Sequence, residues 1–250
     1  MAPPAGIASP PAAAAVLAIE RVAHGHAVAE LRRGTRIAPR ILDRSASCVR
    51  AAFVPTQAGP LAGDRDSARI VVGAGASLVV EPVAATLALP GQGPTVLRLH
   101  VTVDTGGRLA LDEGPLIVAG GAAVQRRCTI ELEAGAVAAV RETVVLGRDG
   151  EPPGAVDSAL RVTLAARPLL YDGLRCDGGD SRVALAPGHR VVGMVAVLGM
   201  WPPHVAGELV LEGPGALRRA TARSLAELDA VLDESWRAWS RCCDPAGAAA

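Results

Sequence analysis

The sequence predicts an all-β protein with a small α-helical part, built from layered or helical-coil-like β-strands and ending in a C-terminal amphipathic helix. Three observations support this prediction. Hydrophobic and polar residues alternate with a period of two over most of the 250-residue chain, short glycine-containing segments separate these runs, and a helical period occurs only near the C-terminal end. Strands that follow one another without intervening helices are typical of a layered sandwich or of stacked β-coils.

The alternation is clearest in the segment TVLRLHVTVD. Leu97, Leu99 and Val101 face one side of the predicted strand, while Arg98 and His100 face the other. The segments CTIELE and RVTLAARPLL follow the same pattern. Because aromatic residues make up only 2% of the chain, the core is predicted to consist of Val, Leu, Ile and Ala.

Three gapless repeats occupy the middle of the chain. Each is a strand, a glycine-containing turn and a second strand, and they begin at Ile70 (IVVGAGASLVVEP), Val101 (VTVDTGGRLALDE) and Ile130 (IELEAGAVAAVRE). A weaker copy begins at Val183. One such unit cannot bury its apolar face alone, so equivalent positions of successive units are predicted to stack.

Stacking of the repeats would bring acidic residues together. The acids that end strands in successive units, with one more in LLYDGLR, are Glu81, Asp112, Glu113, Glu142 and Asp172. Clustered carboxylates repel one another unless a cation or an arginine lies between them, so such a cluster suits a path for cations better than a core. The alternative is that the acids are exposed and paired with some of the 25 basic residues, all of which are arginine.

A shaped corner between two predicted strands lies at residues 56–66, TQAGPLAGDRD. Gly59 and Gly63 permit backbone conformations that other residues avoid, Pro60 lacks an amide donor, and Asp64 can hydrogen-bond its own downstream backbone. These residues fit an ordinary tight connection. A phosphate cradle is disfavoured because no helix and no Lys-Ser/Thr pair follows the second glycine.

One helix is predicted over residues 224–241. Ser224 and Glu227 form a capping box that satisfies free amides at the start of the helix. The apolar residues at helical spacing are Leu225, Leu228, Leu232, Trp236 and Trp239. This stripe either packs on the β body or, through its last four residues, docks another protein.

Length and composition fit a single domain at residues 16–243, with disordered tails at residues 1–15 and 244–250. With a formal net charge of zero, the chain has no overall positive potential that would attract nucleic acid or an anionic membrane. The apolar N-terminal segment contains several prolines and no basic stretch, so neither a signal peptide nor a membrane-spanning helix fits it. The five cysteines contain no CxxC pair and are interpreted as reduced thiols. We therefore expect a cytoplasmic protein.

Other candidate chemistry is sparse. His24 and His26 would present two imidazoles on one strand face to a transition metal, but no third ligand lies near them in the sequence. Cys242 and Cys243 form a second possible metal pair. The chain lacks a nucleophile elbow, an HExxH motif, a Walker loop and a GxGxxG motif placed between a strand and a helix, so an enzyme would have to rely on the carboxylates alone.

Five segments in series resemble the urease accessory protein family called UreD or UreH. They are LRRGTRIAPRILDRS, FVPTQAGPLAGDR, SLVVEPVAAT, LALDEGPLIVAGGAAVQRRCTIELEAGAVAAVRETVVLGR and RPLLYDGLR, and they span about residues 30–200. Each segment alone is a short glycine-rich or β-patterned string. Their order and spacing carry the resemblance.

The resemblance implies an all-β scaffold that does not catalyse a reaction. Proteins that look like this bind the urease apoprotein, the companion UreF and, through UreF, the GTPase UreG. Nickel is implied to pass through the subunit in transit, without a tightly bound cofactor. The positions that match the family's nickel passage are Thr86, Glu142 and Asp172, two of which also follow from the stacking of the repeats. The resemblance also implies that the corner at residues 56–66 has a further role in shaping the wall of this passage or a partner surface.

Two alternatives remain open. A carbohydrate-active enzyme on a stacked β scaffold would use two carboxylates as acid and as nucleophile or base, in an open groove lined with aromatic side chains. A metal-free interaction module would bind partners without needing the carboxylates.

Overall fold

The computed structural model describes residues 14–178, 186–202, 204 and 206–243. These residues form strands β1 (Ala15–Val22), β2 (Gly25–Arg32), β3 (Ile37–Arg44), β4 (Val49–Pro55), β5 (Arg65–Val72), β6 (Ser77–Val80), β7 (Thr86–Ala88), β8 (Thr95–Val103), β9 (Arg108–Val118), β10 (Ala123–Leu132), β11 (Val137–Leu146), β12 (Ala155–Leu164), β13 (Arg167–Cys176), β14 (Val191–Leu198), β15 (Leu209–Val210), β16 (Gly215–Ala222) and helix α1 (Leu225–Ser240). The predicted all-β fold with a small helical part is confirmed.

Two sheets face each other, and their central strands are parallel. The first sheet has the order β13-β12-β10-β8-β5-β1-β2, and the second has the order β15-β16-β14-β11-β9-β6-β4-β3, with β7 also pairing with β9. Strands β1, β5, β8, β10 and β12 run parallel in the first sheet, and β4, β6, β9 and β11 do so in the second. Antiparallel strands complete the edges. The sheets therefore form stacked coils rather than a series of hairpins.

The three sequence repeats are three successive coils. Each repeat runs from the first sheet to the second, as β5–β6, β8–β9 and β10–β11. Their turns stack directly: the Gly75 amide donates to the Thr105 carbonyl at 3.0 Å, and the Gly106 amide donates to the Ala134 carbonyl at 3.3 Å. The start of the weaker copy at Val183 lies outside the described residues.

The layer between the sheets contains two apolar clusters. The larger cluster includes Leu17, Ile70, Leu111 and Ile130, and the smaller one includes Val118, Val124, Leu146 and Val156. Strands β10 and β11 each contribute to both clusters. On β10 the buried Val124 and Cys128 belong to different clusters, and Arg126 lies between them. A polar belt therefore crosses the interior of the protein.

Helix α1 packs on the outer face of the second sheet. Leu228, Leu232 and Trp239 are fully buried there, and Trp236 packs against them. Gly193 on β14 allows this close approach, because a Cβ atom at that position would lie 2.6 Å from a methyl group of Leu228. The stripe that could have served as a docking surface is covered by the chain's own sheet, so in the folded chain it is a core element.

The helix begins as the capping pattern predicts, with one difference. The Ser224 hydroxyl accepts from the Glu227 amide at 3.2 Å. The Glu227 carboxylate, however, accepts from the Arg223 amide at 3.0 Å rather than from the Ser224 amide. The reciprocal half of the capping box is therefore displaced by one residue toward the N terminus.

The corner at residues 56–66 connects β4 and β5, which lie in different sheets. Gly59 and Gly63 have φ angles of 118° and 83°, and the Gly59–Pro60 peptide bond is cis. The Asp64 carboxylate accepts from the Leu61 amide at 2.8 Å, which corrects the expected bond to downstream backbone. It also pairs with Arg36 at 2.7 Å.

The predicted domain limits differ slightly from those of the structure. Strand β1 begins at Ala15, and Ala14 is fully buried, so ordered structure begins inside the segment assigned to the N-terminal tail. Residues 244–250 lie outside the described residues. The helix found among the described residues is neither long nor apolar enough to cross a membrane.

Candidate functional site

The centre of the polar belt is an arginine held between two glutamates. Arg126 projects from β10 of the first sheet, while Glu113 and Glu142 come from β9 and β11 of the second. Its guanidinium approaches a carboxylate oxygen of each glutamate at 2.5 Å. The Arg126 and Glu142 side chains are only 13% and 11% exposed, whereas Glu113 is 34% exposed. Arg126 therefore links the two sheets through buried charge.

Two cavities adjoin this triad, and the first of them extends to the Gly59–Pro60 corner. The first has a volume of about 120 Å³, and its wall includes Gly59, Pro60 and Asp66. The second has a volume of about 50 Å³, and its wall includes Gly114 and Thr143. Four residues line both cavities: Thr86, Leu97, Glu113 and Arg126. The two spaces are therefore neighbours that share a wall at the triad.

A third cavity lies on the far side of Glu142. Its volume is about 10 Å³, and its wall includes Glu142, Ser158, Asp172 and Arg219. Asp172 on β13 pairs with Arg219 on β16, which joins the edges of the two sheets. A space of this size holds about one water molecule. Glu142 and Asp172 thus open onto the same small interior space.

The structure brings together most, but not all, of the acids singled out from the sequence. Glu113, Glu142 and Asp172 follow one another along the belt, and Thr86 lines its first two cavities. Glu81 lines the first cavity but pairs with Arg50. Asp112 was expected to join them, and it does not.

Asp112 instead belongs to a separate cluster beneath helix α1. Arg141 lies at the centre of this cluster, at 2.5 Å from Asp229, 2.9 Å from Asp233 and 3.9 Å from Asp112. The Asp112 carboxylate also accepts from the Gly114 amide at 2.8 Å. Burial raises the pKa of Asp112, and the Gly114 hydrogen bond and the charge of Arg141 offset only part of that effect. The cluster attaches the helix to the sheet.

The raised pKa of Asp112 predicts a pH-dependent effect of Asp112→Asn. The folded state holds this proton more tightly than the unfolded chain, whose carboxyl titrates near 3.8. Stability is therefore lost as the pH rises from that value through the folded pKa. Asparagine at this position still accepts from the Gly114 amide, but it does not titrate and therefore loses no stability over this pH range. We expect the free energy of unfolding of the variant to rise relative to wild type between pH 4 and pH 7 in urea titrations. If the difference in the free energy of unfolding between the variant and the wild type stays constant or falls over this range, the raised pKa of Asp112 is contradicted.

Neither the histidine pair nor the cysteine pair belongs to a group of three metal-ligating side chains among the described residues. His24 is exposed in a turn, whereas His26 is buried and its Nε2 accepts from the Ser77 amide at 3.0 Å. Cys243 is fully buried beneath the helix, and burial raises its pKa to about 12. All five cysteines are thiols that form no disulfide bond. Among the residues that the structure describes, no three His, Cys, Asp or Glu side chains converge as a metal cage.

Arg126 and Arg219 are the functional candidates that the acidic residues alone do not reveal. A signal for Arg126 exists in the sequence VQRRCTI, since it occupies an alternate position between the apolar Val124 and Cys128. An arginine at a core position of a strand needs a buried partner. Arg219 carries no comparable signal, because its partner lies 47 residues away.

Comparison with known proteins agrees with this architecture. The sequence model of the UreD urease accessory protein family matches residues 12–246. The chain belongs to the UreD family. The match extends well beyond residues 30–200 and includes the whole polar belt and helix α1, so it confirms the resemblance over the C-terminal part of the chain as well.

Individual UreD proteins are similar over most of their length. Urease accessory protein UreD 1 of Streptomyces griseus is 38% identical over 94% of this chain and 96% of that protein. UreD of a Parafrankia species is 38% identical over 82% of this chain and 69% of its own length. UreD of Streptomyces coelicolor is 36% identical over 79% of this chain and 84% of that protein.

Proposed function

We propose that this UreD-family chain is a non-catalytic scaffold that passes nickel to the urease apoprotein during maturation of its metallocentre. In this proposal it works in a complex with UreF and, through UreF, with the GTPase UreG. The single observation that carries the proposal is the polar belt, where Glu113, Glu142 and Asp172 follow one another between the sheets beside three cavities.

The cavity volumes indicate how an ion would travel along the belt. The cavities become smaller along the belt, from about 120 Å³ to about 50 Å³ and then to about 10 Å³. The first has space for several water molecules around an ion, whereas the last holds about one water molecule. A divalent ion moving inward therefore exchanges waters for carboxylate oxygens one step at a time.

The chemistry of the belt suits transit rather than storage. Imidazole and thiolate ligands bind nickel tightly, whereas single carboxylates with water bind it weakly and release it readily. The belt offers carboxylates on separate strands, each balanced by an arginine. The corner formed by Gly59, Pro60, Gly63 and Asp64 then shapes the wall at the broad end of the path, where its first two residues line the 120 Å³ cavity.

The carbohydrate-active alternative receives less support from this arrangement. Its two carboxylates would need to act as a free acid and a free nucleophile or base. Glu113 and Glu142 are instead both paired to Arg126, and the wall described for the 120 Å³ cavity contains one aromatic residue, Phe53. A metal-free interaction module differs from our proposal in a testable way, because it does not need the buried carboxylates.

Deletion of the gene in the native organism tests the proposal. We expect the deletion strain to assemble urease subunits that contain little nickel, and a plasmid copy to restore the nickel content measured by elemental analysis. A tagged copy is expected to recover urease subunits, UreF and UreG. Normal nickel content of urease in the deletion strain would overturn the proposed function.

A further inference from the structure

The contact between Arg126 and Glu142 is the partition between the second and third cavities. Arg126 lines the first two spaces and Glu142 lines the third, and no wall residue is shared between the second and the third. The ion pair of 2.5 Å spans this gap, and beside it Leu116 of the second cavity is the strand partner of Val144 of the third. Of these contacts, the ion pair is the one between charged side chains of the belt. A cation that passes from Glu113 to Glu142 therefore has to displace the guanidinium.

The charges of the triad favour such a displacement by a divalent ion. Two carboxylates and one guanidinium leave a net charge of minus one in a largely buried place. A divalent cation between the same carboxylates would leave the triad neutral. Attraction between charges is stronger in such an interior than in water. The two carboxylates therefore attract a divalent cation more strongly than they attract the singly charged guanidinium.

Hydrogen bonding at Glu142 is incomplete, which weakens the hold of the arginine. The Oε1 atom of Glu142 is buried and accepts no hydrogen bond, although the guanidinium lies 2.5 Å away. The contact is therefore an ion pair with poor donor geometry. By contrast, the Glu113 end of the bridge is a hydrogen bond. A ligand that coordinates Oε1 directly would satisfy an oxygen that Arg126 leaves unsatisfied.

The first cavity provides space for the displaced side chain. Arg126 already forms part of its wall, which also contains Asp66, paired with Arg36, and Glu81, paired with Arg50. A guanidinium that turns into this cavity therefore joins carboxylates that other arginines already neutralise, and this keeps the opening reversible. Burial acts to lower the pKa of Arg126, but Glu142 and Glu113 together raise it, so the guanidinium is charged in the triad. Arginine keeps its proton in proteins, so it also carries this charge into the cavity.

We propose that Arg126 is the gate of the passage: it closes the belt by bridging Glu113 and Glu142, and a first-row divalent cation opens the belt by taking its place between them. This inference rests on the proposed function for its biological meaning. The exchange of one bound cation for another, however, is a property of the isolated chain and can be measured without urease.

The test measures nickel binding to the purified chain by equilibrium dialysis and by the nickel-dependent rise in melting temperature. Arg126→Met removes the charge and retains most of the side-chain volume. We expect it to bind one Ni²⁺ at least about tenfold more tightly than wild type, because two buried carboxylates have lost their counter-ion. The second substitution Glu142→Gln in the same chain is expected to abolish the gain.

Arg127→Met is the matched control. Arg127 is the next residue of β10, is 42% exposed and pairs with Asp157 outside the belt. This variant loses the same charge and is expected to bind nickel as wild type does. An equal gain in the Arg126 and Arg127 variants would overturn the gate, since net charge alone would then explain the binding.

A conservative variant keeps the test decisive if Arg126→Met does not fold. Arg126→Lys retains the positive charge, but its compact ammonium lacks the planar fork that contacts both glutamates. We expect a gain in nickel affinity of about threefold. A folded Arg126 variant without any gain would reject the gate even if nickel delivery to urease still required Glu142. The opposite result is also informative. If the Arg126 variants bind nickel more tightly, but urease receives normal nickel without the Glu142 carboxylate, the proposed function is rejected and the cation site between Glu113 and Glu142 is retained.

Discussion

Urease matured with the Glu142→Gln or Asp172→Asn variant is expected to contain about tenfold less nickel than urease matured with the wild-type chain. Each substitution removes one carboxylate charge from the belt while keeping the volume of the side chain. The amide oxygen at position 172 can still accept from Arg219, and the amide at position 142 remains beside Arg126, with which Glu142 forms an ion pair in the wild-type chain. The fold and the partner complex are therefore expected to persist, and nickel per urease active site is the quantity to measure.

Asp157→Asn is the control for these two variants. Asp157 also pairs with an arginine, Arg127, but its side chain is 47% exposed and does not line the belt. Urease matured with this variant is expected to contain normal nickel. If Glu142→Gln and Asp172→Asn also gave normal nickel while the partner complex remained intact, the passage would be rejected and the metal-free interaction module would be favoured.

The repeats show why much of this fold can be predicted from the sequence. The strands beginning at Ile70, Val101 and Ile130 alternate with a period of two, and each is followed by a glycine turn. Stacking therefore buries the apolar face of all three units in the same way. That regularity also predicts that Glu113 and Glu142 approach each other. In the structure Arg126 lies between them, at 2.5 Å from a carboxylate oxygen of each.

Asp112 shows where the same argument fails. Neighbouring residues of a strand face opposite sides of the sheet. On β9, Leu109 and Leu111 belong to the cluster between the sheets, whereas Ala110 belongs to the cluster under the helix. Asp112 continues the Ala110 face and meets Arg141 there, while Glu113 faces the belt and meets Arg126. Stacking of the repeats alone predicts one cluster of all the acids at the strand ends, although the alternation of β9 separates these two.

Asp172 depends on topology rather than on local pattern. It reaches the belt because β13 folds back antiparallel to β12 at the edge of one sheet, while β16 forms near the edge of the other. Arg219 then pairs with it across 47 residues of sequence. The resemblance to the UreD family indicated Asp172, but the arginine that balances it could be found only from the three-dimensional arrangement.

Replacement of Trp239 by alanine is expected to lower the free energy of unfolding by about 3–5 kcal/mol. Trp239 is fully buried between helix α1 and the second sheet, together with Leu228 and Leu232. Removing the indole leaves a cavity that the neighbouring side chains cannot fill completely. The cost of this cavity adds to the free energy of burial that is lost with the indole itself. Urea unfolding of the purified chain, followed by circular dichroism, measures the change.

Val231→Ala separates packing from partner binding. Val231 lies on the same helix, but it is 40% exposed, so its truncation is expected to change the free energy of unfolding by less than about 0.5 kcal/mol. If the stripe packs on the sheet, the Trp239→Ala variant loses stability in the isolated chain, before any partner is added. A Trp239→Ala chain of unchanged stability that no longer binds its partners would show instead that the stripe is a docking surface, and the helix would then have to leave the sheet in the complex.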